Sequence, residues 1–425
     1  MEPDRYRRLR RTAYALGASA FIIAFFHRVA PGAIAADLRS AFGASSTALG
    51  FIAALYFYPY AVMQLPSGLL ADSIGPRRLF AGGLLVAGAG SLMFGYAPDV
   101  TWLLVGRGMV GLGVAVAFIS VLKLIASWYR EQEFGTWVGV LMLIGNLGGV
   151  LAATPLAWVI QHVSWRDVFA AIGGLSLALA LAIWAWVRDT PADAGLAPQD
   201  VPTAAPIARR GGWWAGLAGV LGNRDTWPVF LVHLCLIGSY LAFAGLWAVP
   251  YLTDGLGMTR AEATLHVTLG ILCFAFASGT VGTLSDRTRR RLPLLRGLSV
   301  LFVACWLPWI MGWRMPVGLS YLVFGLMGIG IAGASLAWAL AKELNDPALA
   351  GTATSFVNTG GFIGAALFQP LVGWVLDHAS GPSPLEDYRK GATALAAIAA
   401  VGLVAAFRVR ETGSRNAWRA VPPRR

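Results

Sequence analysis

The chain has 425 residues, of which 57% are hydrophobic and only 13% are charged. Its mean hydropathy is +0.64, and because about a quarter of the residues of a soluble domain are charged, this composition excludes an ordinary soluble protein. The formal net charge of +12 would suit a nucleic-acid-binding protein, but the placement of the basic residues argues against that class.

Twelve apolar runs are each long enough to cross a lipid bilayer, which requires a helix of about 20 apolar residues. They lie near residues 12–36, 46–70, 79–97, 100–128, 134–160, 166–188, 225–250, 262–284, 292–312, 316–341, 351–376 and 389–407. The sequence therefore predicts an all-α polytopic membrane protein with twelve transmembrane helices, numbered 1 to 12 in this order.

The lysines and arginines fall on alternate connections between these helices. With the N-terminus on the cytoplasmic side, 24 of the 33 lie on the inner side, six on the outer side and three within helices. This is the positive-inside pattern, with both termini cytoplasmic. The basic composition therefore reflects topology, and we expect a bacterial inner-membrane protein that binds no nucleic acid.

Predicted helix 1 carries a cation deep in the membrane. Arg28 lies about 16 residues, or roughly 24 Å, into the helix, and charges at such depth are candidates for function. A guanidinium can bind a carboxylate or phosphate through two parallel hydrogen bonds, and no acidic residue lies at that depth. We therefore expect Arg28 to bind an anionic substrate. A structural tie to backbone carbonyls is the alternative.

His27 is the only titratable group beside Arg28, and its ordinary pKa of about 6.5 suits a proton carrier. A neighbouring cation disfavours its protonation, whereas an arriving substrate anion would neutralise that cation and favour protonation. We hypothesise that His27 loads a proton together with the anion. The alternative is a passive, packed histidine.

Predicted helix 2 places three polar side chains on one face, because Tyr56, Tyr60 and Gln64 follow an i, i+4, i+8 spacing. Two phenols and an amide within a membrane need hydrogen-bond partners, which a water-filled cavity or a bound solute would supply. We expect these residues to bind substrate, with internal hydrogen bonds as the alternative.

The loop after helix 2, residues 68–78, reads Gly-Leu-Leu-Ala-Asp-Ser-Ile-Gly-Pro-Arg-Arg. Gly68 would permit close helix contact, and Asp72 could cap a helix or pair across to the other half. Glu131 and Glu133 are possible acidic partners for the motif in the next inner loop. Arg77 and Arg78 favour the inner leaflet. We expect a cytoplasmic gate here, the alternative being a pure topology signal.

Two more cations lie in predicted helix 4. Arg107, in its outer half, could couple protons or substrate to transport, or could fasten neighbouring helices. Lys123 lies nearer the cytoplasmic end, where it could reach the headgroups or line the inner half of a pathway. In helix 5, Asn146 is a candidate for substrate binding or for an interhelical hydrogen bond.

The connection after helix 6 is long, polar and rich in alanine and proline, as is typical of a linker. Within it a short amphipathic stretch, residues 211–221, is expected at the cytoplasmic membrane interface. The predicted organisation is an N-terminal six-helix bundle at 1–188, a cytoplasmic linker at 189–224, a C-terminal six-helix bundle at 225–407 and a cytoplasmic tail at 408–425.

The second half repeats the first in three places. The loop at 68–78 returns at 282–291, 214 residues later, and two glycine-rich helical motifs return at offsets of 217 and 212. The latter pairs are 108–113 with 325–330, and 146–149 with 358–361. Three matches in one order indicate parallel repeats related by an axis along the membrane normal.

The repeat extends the candidate residues to the second half. Asp286 and Arg287 would belong to the second copy of the gate, and Asn358 corresponds to Asn146. Further candidates for substrate binding are Tyr240, Trp338 and, more weakly, Gln369. The overlay puts Ala242, Phe324 and Leu340 opposite the three embedded cations, so the cations occur only in the first half.

With these motifs, the chain resembles a major facilitator superfamily transporter over essentially its full length. The hallmark Gly-x-Leu-Ala-Asp-x-x-Gly-x-Arg-Arg lies at 68–78, departing at Ser73, and the familiar Arg-x-x-x-Gly-x-Gly lies at 107–113. Residues 165–169, Trp-Arg-Asp-Val-Phe, open helix 6 as is common in the superfamily. The resemblance implies that Asp72 helps to latch the outward-facing state and that Arg107 takes part in coupling.

At a finer level, residues 25–31, 56–68 and 118–123 look similar to a proteobacterial uptake group that includes the intraphagosomal amino-acid transporters. Arg28 and the tyrosines of helix 2 also resemble the anion:cation symporters. Those symporters usually carry acidic residues in helices 1 and 4, where this chain has His27 and apolar residues. Helix 5 lacks the Gly-Pro-x-x-Gly-Gly form of drug and proton antiporters.

The sequence holds no metal-ligand spacing, phosphate-binding loop or nucleophile motif, so we expect neither an enzyme nor a cofactor. The expected function is secondary active import of a small organic anion or amino acid by a proton-coupled monomer within the lipid bilayer. One alternative is a drug or metabolite exporter of the same fold, working by proton antiport. Another is a membrane receptor or scaffold that does not transport.

Overall fold

The computed structural model describes residues 2–64, 66–196 and 212–418. Its regular elements there are helical, and twelve of its spans are long and apolar enough to cross a membrane, which confirms the predicted fold class. Spans 1 to 12 are, in order, Asp4–Ala33, Ser46–Met63, Pro76–Gly95, Val100–Trp128, Gln132–Val159, Trp165–Trp186, Thr226–Gly255, Arg260–Thr288, Leu292–Met311, Val317–Leu344, Pro347–Asp377 and Pro384–Arg408.

Shorter helices lie outside the spans, and several spans consist of two or more helical segments. Outside the spans are Ala35–Phe42, Pro66–Ser73 and Gly212–Gly222. Span 2 divides into Ser46–Ala54 and Phe57–Met63, span 4 into Val100–Ala115 and Ala117–Trp128, span 9 into Leu292–Ala304 and Leu307–Met311, and span 10 into Val317–Ile331 and Leu336–Leu344.

Span 7 departs furthest from a regular α-helix. It contains three π-helical segments, His233–Ile237, Phe243–Trp247 and Tyr251–Gly255. The sequence predicts an uninterrupted helix here, because a π-turn leaves no mark in the hydrophobic pattern. Turns of this kind are rare in proteins overall, and those that occur are often at functional sites. With three of them, span 7 is the described span that differs most from ideal α-helical geometry.

The chain divides into two compact units, Met1–Ala205 and Pro206–Arg425. In the first unit, span 1 packs along span 5, span 3 along spans 4 and 6, and span 2 along span 4. In the second unit, span 7 packs along span 11, span 9 along spans 10 and 12, and span 8 along span 10. Each pairing recurs six spans later, as expected of a duplicated chain.

Glycines permit the closest of these approaches. A Cβ atom on Gly111 would collide with the backbone of Tyr56 in span 2, and one on Gly328, the matching position of the repeat, would collide with the backbone of Gly270 in span 8. Without hydrophobic driving force between helices in lipid, such small-residue contacts hold spans together.

We predict that Gly111→Ala lowers the melting temperature of the detergent-purified protein, because overpacking against backbone costs about 1–3 kcal/mol. Gly108→Ala is the matched control in the same span. A Cβ there would meet Leu55 at 3.8 Å, an ordinary contact, so this variant should melt at or above the wild-type temperature. Equal melting of the two variants would show that the close approach at Gly111 contributes nothing.

Candidate functional site

The guanidinium of Arg28 lies against aromatic rings of spans 1 and 2. Its Cζ atom is 4.3 Å from the ring centroid of Phe25 and 5.5 Å from that of Tyr60, and the guanidinium also interacts with Tyr56. The rings of Tyr56 and Tyr60 stack with centroids 5.7 Å apart. Aromatic faces attract a cation without supplying a negative charge. The structure thus brings together three of the residues predicted to bind substrate.

The three polar residues of span 2 differ in what holds them. The Tyr56 hydroxyl donates a hydrogen bond of 3.0 Å to the Ala24 carbonyl of span 1, which is the internal tie that the sequence left open as an alternative. Tyr60 and Gln64 are both buried, and Tyr60 faces Arg28. Tyr56 therefore positions the aromatic wall beside Arg28, and Tyr60 contacts the cation directly.

Arg107 is fully buried in span 4 and donates to three backbone carbonyls. Its Nη1 is 2.9 Å from the His27 oxygen, its Nε is 3.2 Å from the Ile52 oxygen, and its Nη2 is 3.4 Å from the Ala53 oxygen. These bonds fasten span 4 to spans 1 and 2. Of the two roles considered from the sequence, this geometry fits the fastening one.

Interruptions in spans 1 and 2 explain why those carbonyls need a donor. Pro31 lies four residues after His27 inside the helix, and it has no N–H group for the His27 carbonyl. Span 2 is interrupted between Ala54 and Phe57, and this interruption frees carbonyls of the preceding turn, which contains Ile52 and Ala53. Arg107 supplies donors to these three carbonyls.

The His27 ring packs among aromatic side chains. It is fully buried, with its centroid 5.7 Å from the Phe169 ring and 5.9 Å from the Phe26 ring. Neither ring nitrogen has a hydrogen-bond partner among the residues that the structure describes. This environment fits the packed histidine that was the alternative reading, and its role in proton coupling stays a prediction.

Asp72 forms an ion pair with Lys123 of the same unit. From the sequence, Asp72 was expected to cap a helix or to pair with the other half, and Lys123 was expected to reach the headgroups or to line a pathway. Of the two glutamates considered, Glu133 binds Arg10 instead, at 3.4 Å, and the side chain of Glu131 lies outside the described residues. The ion pair links the end of the short helix Pro66–Ser73 to span 4.

The close helix contact expected at Gly68 is wrong for this structure. A Cβ atom built there would meet no heavy atom of the described residues within 4 Å. The reason is that the short helix Pro66–Ser73 has open space beside Gly68. Arg78 of the same motif is exposed.

Arg77 fixes the start of span 3 to the segment after span 6. Its backbone N–H donates to the Asp189 carboxylate at 2.6 Å, and its Nε donates to the Trp184 carbonyl at 2.9 Å. Gly75 has a φ of +84°, and a Cβ there would collide with Asp189, so the glycine makes room for this cap. Burial raises the pKa of the Asp189 carboxyl, and the Arg77 N–H opposes that rise.

The second unit repeats this cap. The backbone N–H groups of Arg291 and Leu292, which open span 9, donate to the Glu411 carboxylate at 3.0 and 2.9 Å. Asp189 and Glu411 follow spans 6 and 12, and both were missed by the sequence reasoning. The available signal is a four-residue repeat, Val-Arg-Asp-Thr at 187–190 and Val-Arg-Glu-Thr at 409–412.

Glu411 gives the second unit a pH dependence. Burial raises the pKa of its carboxyl, but hydrogen bonds from the N–H groups of Arg291, Leu292, Gly413 and Thr412 outweigh this and hold the pKa below its ordinary 4.5. The ionised form therefore stabilises the fold fully above about pH 4.5. That contribution is lost as the pH falls through the lower, folded-state pKa.

We predict that Glu411→Gln lowers the melting temperature near neutral pH and reduces its further fall in acid, because glutamine cannot carry the charge that these N–H groups favour. Thermal unfolding in detergent from about pH 7 down to about pH 3 measures both effects. Parallel curves for the two proteins would contradict the linkage.

Asp286 of the second gate copy binds Arg291. This buried arginine donates from Nη1 to Asp286 at 2.6 Å and from Nη2 to Glu343 at 2.7 Å. Arg291 occupies the position that Arg77 holds in the first copy, so the 214-residue offset could have identified it. Arg287, predicted for the gate instead, is exposed on span 8.

The two matching asparagines lie in spans 5 and 11. Asn146 donates from Nδ2 to the Met142 carbonyl of its own helix at 2.8 Å, whereas the sequence considered an interhelical bond. The bond within one helix can form because the side chain of Asn146 lies over the preceding turn, which contains the Met142 carbonyl. Asn358 is half-buried in span 11.

The remaining candidates are Tyr240 in span 7, which is buried, and Trp338 in span 10, which is 37% exposed. Tyr240 is buried near Phe274 and Phe302, and its hydroxyl has no hydrogen-bond partner among the described residues. Trp338 lies 5.9 Å from the ring of His233.

His233 and Gln369 tie spans together in that unit. The Nδ1 atom of His233 accepts a bond from the Gly361 N–H of span 11. Gln369 is buried and donates to the Leu241 carbonyl of span 7 at 3.4 Å.

Comparison with known proteins identifies the family. A model described as the Major Facilitator Superfamily matches residues 16–369 and 229–421. The "Probable sulfoacetate transporter" of Cupriavidus necator is 27% identical over 297 residues, 67% of this chain and 67% of that protein. A "D-galactonate transporter" of Escherichia coli O6:H1 is 27% identical over 414 residues, 90% of this chain and 93% of that protein.

The fold is also similar to that of a transporter of known structure. The crystal structure of a "D-xylose-proton symporter" aligns with a TM-score of 0.72 at 15% identity, covering 95% of this chain and 99% of that one. The twelve spans make the protein a multi-pass membrane protein. With a family model matched along most of its length, the chain belongs to the Major Facilitator Superfamily of membrane transporters.

Proposed function

We propose that this protein is a secondary active importer of a small organic acid that carries one negative charge. The observation that carries the proposal is the placement of Arg28 against the rings of Phe25 and Tyr60. A guanidinium held there by aromatic faces can present its N–H groups to a carboxylate. The charge on the cargo then offsets the cost of a cation within the membrane.

The other two embedded cations lie in span 4 and bind groups of the first unit. Arg107 donates to three carbonyls, and Lys123 pairs with Asp72. The corresponding positions of the second unit carry no charge, being alanine, phenylalanine and leucine. One guanidinium can form one pair of parallel hydrogen bonds with a carboxylate. The second anionic group of a doubly charged cargo would need a further donor, and a charge without one is costly within the membrane.

The candidate substrate classes differ in the number and sign of their charged groups. Galactonate carries one acidic group, whereas sulfoacetate carries two. The name of the galactonate transporter therefore fits a site with one guanidinium better than the name of the sulfoacetate transporter does. A zwitterionic amino acid needs a carboxylate for its ammonium group. In the described spans of the first unit, acidic residues lie only within three residues of a span end, at Asp4, Glu133 and Asp167.

We propose that transport proceeds by alternating access of the two six-helix halves and that import is coupled to protons, as in the symporter that shares this fold. His27 remains our candidate for carrying the proton. Basic residues on alternate connections support an inner-membrane location with both termini cytoplasmic.

A thermal-shift screen of the purified protein tests the substrate class. Sugar monocarboxylates, sugar dicarboxylates, sugar phosphates, amino acids and neutral sugars are compared at equal concentration, since a ligand that binds the folded state raises its melting temperature. We expect stabilisation by a monocarboxylate. Stabilisation by a neutral sugar alone, or by a dicarboxylate in preference to every monocarboxylate, would contradict the proposal.

For the gate, we propose that the Asp72–Lys123 ion pair forms and breaks during the transport cycle. Both side chains are partly exposed, so the pair contributes no more than about 1 kcal/mol to stability. We predict that Asp72→Asn and Lys123→Gln each slow uptake by proteoliposomes while leaving the melting temperature nearly unchanged. Exchange of the two residues, Asp72→Lys with Lys123→Asp, should restore part of the rate. A large loss of stability, or normal uptake in both single variants, would contradict this role.

A further inference from the structure

A surface cavity of about 320 Å³ lies between the start of span 7 and the end of span 12. It is lined by Arg224, Trp227, Pro228, Leu231, Ala405 and Arg408. The sequence predicts this end of both spans to be cytoplasmic. The cavity has an apolar wall running along the spans and two arginines at its cytoplasmic end.

The two arginines are not committed elsewhere in the described chain. Both are exposed, and neither takes part in an ion pair or hydrogen bond among the described residues. The nearest acid along the chain, Asp225, is held by Arg410 at 3.0 Å. Arg296 already donates to carbonyls at the end of span 12. Arg224 and Arg408 therefore leave two positive charges beside one cavity.

The apolar wall is fixed in shape. The indole N–H of Trp227 donates to the Leu221 carbonyl at 3.0 Å, which fixes the ring and leaves 41% of the residue exposed. Leu231, one turn deeper, is 37% exposed, and the small side chain of Ala405 leaves the hollow between the spans. An apolar chain could lie against these three residues while its charged end reached the arginines.

The depth of the cavity is that of the membrane interface. Leu221 lies at the end of the helix Gly212–Gly222, whose Trp214 is exposed. Exposed tryptophans are typical of membrane interfaces, so the arginines lie at headgroup level and the apolar wall at the level of the acyl chains. Basic pockets of this kind between spans bind acidic headgroups.

From this arrangement we propose that the cavity binds an anionic phospholipid of the cytoplasmic leaflet. Its phosphate accepts hydrogen bonds from Arg224 and Arg408, and an acyl chain lies along Trp227 and Leu231. This site is separate from the one proposed for cargo at Arg28, and it does not depend on the identity of the cargo.

Lipid binding to the full-length protein tests the proposal. Delipidated protein in a neutral detergent is titrated with cardiolipin, with phosphatidylcholine and with inorganic phosphate, and bound lipid is counted by native mass spectrometry. Each arginine near the membrane surface is worth about fivefold in affinity for acidic lipid, so Arg224→Gln with Arg408→Gln should weaken cardiolipin binding about 25-fold. The double variant Arg290→Gln with Arg415→Gln has the same net charge and changes two exposed arginines outside the cavity.

We expect one tightly bound cardiolipin on the wild type and on the Arg290/Arg415 control, and its loss in the Arg224/Arg408 variant. Equal loss in both double variants would show only a general charge effect and would overturn the site. Phosphatidylcholine binding as tightly as cardiolipin, or inorganic phosphate displacing it at equal concentration, would also overturn the assignment to an anionic phospholipid. Gel filtration and the melting temperature in detergent show whether each variant is folded. We expect all of them to fold, because the side chains of these exposed arginines have no ion pair or hydrogen bond among the residues that the structure describes.

Discussion

Replacing Arg28 by alanine should abolish saturable uptake of the cargo while leaving a folded, membrane-inserted protein. Truncating one partner of a buried, hydrogen-bonded charge pair costs about 2–5 kcal/mol, which corresponds to about a 30-fold to 4000-fold loss of affinity. Arg28→Lys keeps the charge but loses the paired N–H groups and the planar stacking on Phe25 and Tyr60. It should fall between the wild type and the alanine variant.

Uptake by proteoliposomes at several substrate concentrations measures this effect. Arg314→Gln, which removes an exposed arginine between spans 9 and 10, is the control and should transport normally. An Arg28→Ala protein that transports with unchanged affinity would show that Arg28 is a structural tie. A protein that fails to fold would show the same, because the proposed role needs no contribution from Arg28 to stability.

Replacing Arg107 by leucine should destabilise the folded protein rather than weaken its affinity for the cargo. Three buried carbonyls would lose their donor, at about 1–3 kcal/mol each, for a total of about 3–9 kcal/mol. Part of this is offset because a charge is no longer buried. A typical protein is stable by only about 5–15 kcal/mol, so Arg107→Leu should give little folded protein or a melting temperature lowered by many degrees.

A second substitution separates this explanation from a loss of coupling. Pro31→Ala supplies an N–H group to the His27 carbonyl, one of the three that Arg107 binds. Pro31→Ala should therefore raise the melting temperature of the Arg107→Leu protein by more than it raises that of the wild type. An Arg107→Leu protein that melts like the wild type but does not transport would assign Arg107 to coupling instead.

The membrane-spanning architecture could be predicted from the sequence because lipid imposes a length and a hydropathy on every span. The duplication could be predicted as well, since the glycines that permit close approach recur at fixed offsets, as Gly111 and Gly328 do. These constraints act on local sequence, so a single chain displays them.

The candidate site was harder to predict from the sequence, because its contacts join residues that are far apart in the chain. Nothing local pairs Lys123 with Asp72 or Arg291 with Glu343. The free carbonyl of His27 could have been anticipated from Pro31, but the choice of Arg107 as its donor required the packing of spans 1, 2 and 4.

His27 and Arg28 illustrate another limit. Neighbours in a helix point about 100° apart and do not face each other. Arg28 accordingly faces Tyr60, and His27 packs against Phe169. Proximity in sequence suggested one coupled pair, whereas the structure gives the two side chains different surroundings.

The central claim, that Arg28 holds a cargo with one negative charge, is tested most directly by comparing ligands that differ only in charge. Equilibrium binding of galactonate, galactarate and galactitol, which carry one, two and no carboxylates, is measured on the wild type and on Arg28→Ala. We predict that galactonate binds the wild type most tightly and that Arg28→Ala loses at least about 30-fold in its affinity for galactonate, which leaves the three ligands nearly equal. Tighter binding of galactarate or galactitol to the wild type, or the same preference for galactonate in Arg28→Ala, would contradict it.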